Sequence, residues 1–123
     1  MLSEHFSREE MACKCCGELP EQGISQALLD GLEKLRADIG NEPIYISSAY
    51  RCRTHNWEVG GVLNSDHMKG KAADIYVKGM NAYKLGLKCQ RIFDGVGIYT
   101  TDDFVHVDMR SDGTEVGKYT WYK

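Results

Sequence analysis

A histidine and an aspartate seven residues apart, His67 and Asp74, constrain this 123-residue chain more than any other pair. They stand in Ser65-Asp66-His67-Met68-Lys69-Gly70-Lys71-Ala72-Ala73-Asp74-Ile75. On one helix they would share a face but lie about 10 Å apart, too far to meet on one ion. On one strand an odd offset sends them to opposite faces. They meet only if the chain turns between them, and Gly70 stands where a turn can form. After the turn, Ala72-Ala73-Asp74-Ile75-Tyr76-Val77 reads as a buried strand carrying one carboxylate. Such a carboxylate is costly to bury unless it is paired or bound to a metal. Further on, Phe104-Val105-His106-Val107-Asp108 reads as a strand with a histidine between branched apolar residues. Two histidines, a carboxylate and a water make an open, catalytic zinc site. A structural site is closed by four protein ligands, often several cysteines.

Ser65, His67, Gly70, Ala72 and Asp74, followed by His106 and Asp108, together resemble the peptidase M15 class. That class comprises zinc D-Ala-D-Ala carboxypeptidases and L,D- or D,D-endopeptidases, many phage endolysins among them. The resemblance extends to Ser47-Ser48-Ala49-Tyr50-Arg51, to His55-Asn56 with Val59-Gly60-Gly61, and to Gly95-Val96-Gly97-Ile98-Tyr99. It implies an α+β fold of the Hedgehog/DD-peptidase type, with a mostly antiparallel central sheet, flanking helices and zinc at one open face. It implies one Zn2+ per chain, held by His67, Asp74 and His106, and hydrolysis of an amide bond in peptidoglycan stem peptides. It also implies substrate contacts from Ser48, Ser65 and Arg51. A guanidinium matches a carboxylate in a bidentate fork, which suits Arg51 to clamp one.

A base must take the proton of the attacking water. Members of the resembled family carry an acidic residue three positions before the last histidine ligand, which here is Asp103. Strand alternation instead favours Asp108, since 106 and 108 share a face. The motif position points to Asp103, leaving Asp108 to orient a ligand or substrate. Asp102 next door keeps that assignment open by one residue. A different class of function also fits the ligand set: a non-catalytic zinc module that binds partners or cell wall, as the Hedgehog signalling domain binds partners. Such a module lacks the base and the Arg clamp, and the presence of Asp103 and Arg51 favours the enzyme.

The length predicts one domain over residues 1–123 with a single core, and a monomer. A net charge of -3 argues against a nucleic-acid surface, and no apolar run reaches the length of a membrane span. The N-terminus has no apolar stretch of a secretory signal, which predicts a cytoplasmic protein released to the cell wall by another route. Five cysteines cannot all pair in one chain, and they read as reduced. Cys13 and Cys16 have metal-knuckle spacing, but Cys52 and Cys89 stand alone in sequence. Small apolar residues packing the N-terminal turn is therefore the expectation.

Ser7 with Glu10 forms a capping box, and Ser25 opens a helix to Ile39 whose leucines recur at helical spacing. Strands are expected at 43–48, 72–77, 95–99 and 104–109, with a final edge strand at 119–122. A short helix or turn is expected at 54–61, its His55 bonding locally, and a helix at 82–92. A hairpin of the strands at 95–99 and 104–109 would bring His106 beside the strand carrying Asp74. The aromatics of the last strand either cover the core or wall the cleft.

Overall fold

Side-chain caps start the helices where the sequence places them. A computed structural model describes residues 1–62 and 65–123. In α1 (Arg8–Met11) the Ser7 amide donates to Glu10 Oε1 at 2.9 Å and the Glu10 amide donates to Ser7 Oγ at 3.1 Å, the reciprocal box. Ser25 caps α2 (Gln26–Asp38), which buries Leu28, Leu29, Leu32 and Leu35 along one stripe. Gly40 and Asn41, at φ 74° and 63°, take the left-handed conformation that ends it. The helix α3 (Arg53–Glu58) is short, and α4 (Ala82–Cys89) ends three residues earlier than its apolar spacing suggests. There the chain tightens into three-residue bonds, with Arg91 N donating to Lys88 O and Ile92 N to Cys89 O. No helix is long and apolar enough to cross a membrane among the described residues.

Five strands make one sheet: β1 (Tyr45–Ser48), β2 (Ala72–Tyr76), β3 (Gly95–Tyr99), β4 (Phe104–Asp108) and β5 (Tyr119–Tyr122), in the order β1-β2-β4-β3-β5. Every neighbouring pair is antiparallel except β3 with β5, which run parallel. The α+β expectation with a mostly antiparallel sheet therefore holds. Side chains alternate across the sheet. Ala73, Ile75, Val96, Ile98, Val105 and Val107 are buried on the side of α2 and α4, where they meet Leu28, Leu32, Leu35 and Leu85. The opposite face carries the polar set. Its central row crosses four strands in register: Asp74 pairs with His106, His106 with Gly97, and Gly97 with Trp121.

Asp94, fully buried ahead of β3, holds the loop that leads into β5. Its Oδ2 accepts from the amides of Ser111 and Gly113 and its Oδ1 from that of Glu115, each at 2.9 Å. Asp94→Ala leaves these donors without the carboxylate, and the expected loss of stability is about 2 kcal/mol, read from urea unfolding. An unchanged midpoint would show that water replaces the carboxylate at no cost.

Candidate metal centre

The turn that His67 and Asp74 require is present. Gly70 sits at φ 70°, and a side chain there would meet Pro20 and the Gly23 carbonyl, so glycine is needed for space as well as for conformation. The turn closes by bonds from Lys69 N and Lys71 N to Asp66 O, and from Gly70 N to His67 O. His67 is thereby raised over the strand that carries Asp74. Its imidazole Nε2 lies 3.3 Å from Asp74 Oδ1, and its Nδ1 lies 2.7 Å from the Ala49 carbonyl. Across the β2–β4 ladder, His106 Nδ1 lies 3.2 Å from the same Asp74 oxygen, and its Nε2 lies 2.8 Å from Asp108 Oδ2. One oxygen thus faces a nitrogen from each of two rings. The three ligand atoms gather within 4.8 Å of one another.

This donor set fits a catalytic zinc ion. It supplies two imidazoles and one carboxylate, and it leaves the cleft side open. The outer nitrogens are also committed. Ala49 O requires Nδ1–H on His67, and Asp108 requires Nε2–H on His106, so the inner nitrogens are the ones left to bind metal. Asp108 is itself fixed: Arg110 donates from Nε to Oδ1 and from Nη2 to Oδ2, both at 2.9 Å. Its carboxyl is held far below the usual carboxylate range; burial opposes this, but the bonds from His106 and Arg110 outweigh it. Asp108 is thereby placed to orient His106, one of the two roles the sequence leaves open to it.

Above the set lies a cleft of about 530 Å³. His67, Asp74 and His106 line its floor, with Asp66, Arg51 and Trp121 among its walls. Trp121 is there because Gly97 leaves room: a Cβ at Gly97 would lie 2.5 Å from the indole. Of the β5 aromatics, Trp121 thus walls the cleft, its ring centred 5.2 Å from that of His106. Arg51 is half-buried beside the ion site, and its Nη2 donates to Ser65 Oγ at 3.3 Å. Its Nε–H has no hydrogen-bond partner among the described residues. The guanidinium lines the cleft, where its fork can meet an anionic ligand such as a carboxylate.

Two sequence-based expectations, the base at Asp103 or Asp102 and the substrate contact at Ser48, are placed elsewhere. Asp103 is exposed at the entrance to β4, with φ 56°, and its Oδ1 accepts from the Ala82 amide at the start of α4. A short acidic side chain tolerates that left-handed backbone. Neither Asp103 nor Asp102 is among the described residues lining the cleft. Ser48 pairs with Asp74 on β1 and is likewise outside the lining, whereas Ser65 lines the cleft, its Oγ accepting from the His67 amide and from Arg51 Nη2. The structure also brings Asp66 and Arg110, which no local pattern marks, and Trp121, one of the last-strand aromatics whose place the sequence leaves open.

With this geometry in place, the sequence comparison is decisive: residues 4–108 match the family model of peptidase M15. The chain belongs to the peptidase M15 family. It is 32% identical over 113 residues to the peptidoglycan L,D-endopeptidase MepK of Shigella flexneri, an alignment covering 85% of this chain and 58% of that protein. It is 43% identical over 44 residues to the zinc D-Ala-D-Ala carboxypeptidase of Streptomyces albus G, covering 36% of this chain and 17% of that one. The M15 chain therefore spans 58% and 17% of the lengths of these two relatives.

In the metal-free chain His106 behaves as a base. Burial alone would push its pKa down, but the hydrogen bonds to Asp108 and Asp74 outweigh burial and hold it up at about 9. A raised pKa stabilises the metal-free fold below the unfolded histidine value, and that contribution is lost as pH rises through about 9. A metal at Nδ1 must displace the same proton. Zinc binding at neutral pH is expected to release about one proton, and affinity to rise about tenfold per pH unit up to the His106 pKa. Calorimetry in two buffers of different ionisation enthalpy checks this; no buffer dependence would show that His106 is neutral before the metal arrives.

Proposed function

We propose that this chain is a zinc-dependent peptidase that cleaves an amide bond in peptidoglycan stem peptides. The observation carrying the reading is the convergence of His67 Nε2 and His106 Nδ1 on one oxygen of Asp74 at the floor of an open cleft. The named activities of the two relatives support the substrate class. Bound between these ligands, zinc would lower the pKa of water and polarise the scissile carbonyl. The chain's own groups do the rest. Arg51 offers the guanidinium that lines the cleft to a carboxylate of the stem peptide, which sets the register of the substrate. Trp121 and Phe104 flank the cleft and limit water around the scissile bond. Asp108 keeps the His106 ring turned so that Nδ1 faces inward.

Proton acceptance falls to Asp66. Apart from Asp74 it is the one carboxylate lining the cleft among the described residues, and its neighbours Arg110 Nε and Lys69 Nζ stand 3.9 and 4.0 Å away. The test is digestion of purified peptidoglycan, with products assigned by mass spectrometry and zinc measured in the same samples. Asp66→Asn is expected to keep zinc and lose about two to four orders of magnitude in kcat, the usual contribution of general acid–base catalysis. Asp103→Ala is expected to keep most of its turnover. The opposite ranking would return the base role to Asp103. Absence of any muropeptide product from a zinc-loaded wild-type chain would sink the peptidase reading in favour of a binding module.

A further inference from the structure

We propose that Cys13, Cys16 and Cys52 form a second metal site, a zinc knuckle that fastens the N-terminal turn to the start of α3. In sequence Cys52 is isolated from the other two by more than thirty residues. The fold removes that distance: the three sulfurs lie within 4.8 Å of one another. Tyr50 N donates to Met11 O at 3.1 Å, which lays residues 50–52 along the end of α1. The knuckle itself is closed by Gly17, at φ 73°, whose amide donates to the Cys13 carbonyl at 2.8 Å. Backbone donors already point at the sulfurs. Cys52 N donates to Cys13 Sγ and His55 N donates to Cys52 Sγ, each at 3.4 Å. Such bonds stabilise thiolates, the form that binds metal.

The spacing suits a metal shared by all three. Zinc–sulfur bonds of about 2.3 Å in a tetrahedron set sulfurs about 3.8 Å apart, inside the observed limit. A set made only of thiolates selects a soft or borderline ion, and zinc is the one that takes it without redox chemistry. The fourth position is left to water or to Cys15, exposed in the same turn but outside the three-sulfur cluster. The odd cysteine count then resolves into three at the knuckle, Cys15 exposed in the same turn and Cys89 buried in the core. The site is structural, but it bears on the cleft: Cys52 follows Arg51 directly and caps the helix that leads to the Gly60–Gly61 rim. It does not depend on what the cleft hydrolyses.

The test is cobalt(II) titration of the reduced, metal-stripped chain carrying His67→Ala, which takes the cleft site out of play. Thiolate-to-cobalt charge transfer absorbs in the near ultraviolet, and a histidine–carboxylate centre has no sulfur to give it. We expect that band to saturate at about one equivalent per chain. Adding Cys52→Ser should weaken cobalt binding at least about tenfold. Against loss of fold in that variant, alkylation of the wild-type chain gives a second reading: added zinc should slow modification of Cys13, Cys16 and Cys52 at least about tenfold. A folded, reduced chain with no thiolate band overturns the proposal. So do equal alkylation rates with and without zinc, or a full band in a folded Cys52→Ser chain.

Discussion

Asp74→Asn is expected to reduce bound zinc at the cleft to background and to abolish peptidoglycan hydrolysis. The substitution keeps the shape of the side chain and removes its negative charge. Asp74 is the one group that both imidazoles face, and its carboxyl lies far below the usual carboxylate range. Burial opposes that shift, but the bonds from His106 and His67 outweigh it. A neutral amide offers a weaker oxygen and directs an N–H toward the same space. Loss of the ion removes several kcal/mol of transition-state stabilisation, on the order of a thousandfold or more in rate. The fold should survive, because Ala73 and Ile75 keep their places in the core and the ladder to β4 uses backbone groups. The paired measurement is metal content by mass spectrometry and turnover on peptidoglycan, with far-ultraviolet circular dichroism as the control. A folded Asp74→Asn chain retaining zinc and full turnover would remove Asp74 from the ligand set.

How far the sequence reaches is clearest at this residue. The parity of a seven-residue offset demanded a turn between His67 and Asp74, and Gly70 supplies it at a position where a side chain has no room. The hairpin of β3 and β4 then delivers His106 to Asp74, as the strand pattern implied. Helix starts were legible because a cap is a contact between residues three apart. What stayed hidden depends on chain segments meeting from far apart. Asp103 stands three residues before His106, which matches the motif position for a base. Its backbone conformation and the Ala82 amide, twenty-one residues away, turn it to the helix side. Cys52 joins Cys13 and Cys16 only because residues 50–52 run beside α1. Trp121 reaches His106 because β5 pairs parallel to β3 over a glycine, and no periodicity encodes that register.

Gly95→Ala is expected to weaken zinc binding at the cleft and to destabilise the fold, although residue 95 touches neither metal nor substrate. Gly95 pairs with Asp108 across the β3–β4 ladder, and a Cβ built there lies 2.3 Å from Asp108 Oδ2. The carboxylate cannot swing aside freely, since His106, Arg110 Nε, Arg110 Nη2 and the Arg110 amide all hold it. Making room therefore breaks part of a buried ion pair, and the expected cost is about 3–5 kcal/mol. His106 then loses the partner that keeps its Nδ1 facing inward, which should weaken zinc about 10–100-fold. Asp108→Asn should give a similar loss of affinity by a different route, keeping the shape and removing the charge. The two effects pass through one contact, so in a double-mutant cycle they should be strongly non-additive. Zinc affinity and urea midpoints for the two single variants and the double variant complete the cycle. Simple additivity would show that Gly95 acts on strand packing alone, and the glycines of Gly95-Val96-Gly97 would then serve backbone pairing rather than the space that Asp108 and Trp121 occupy over the sheet.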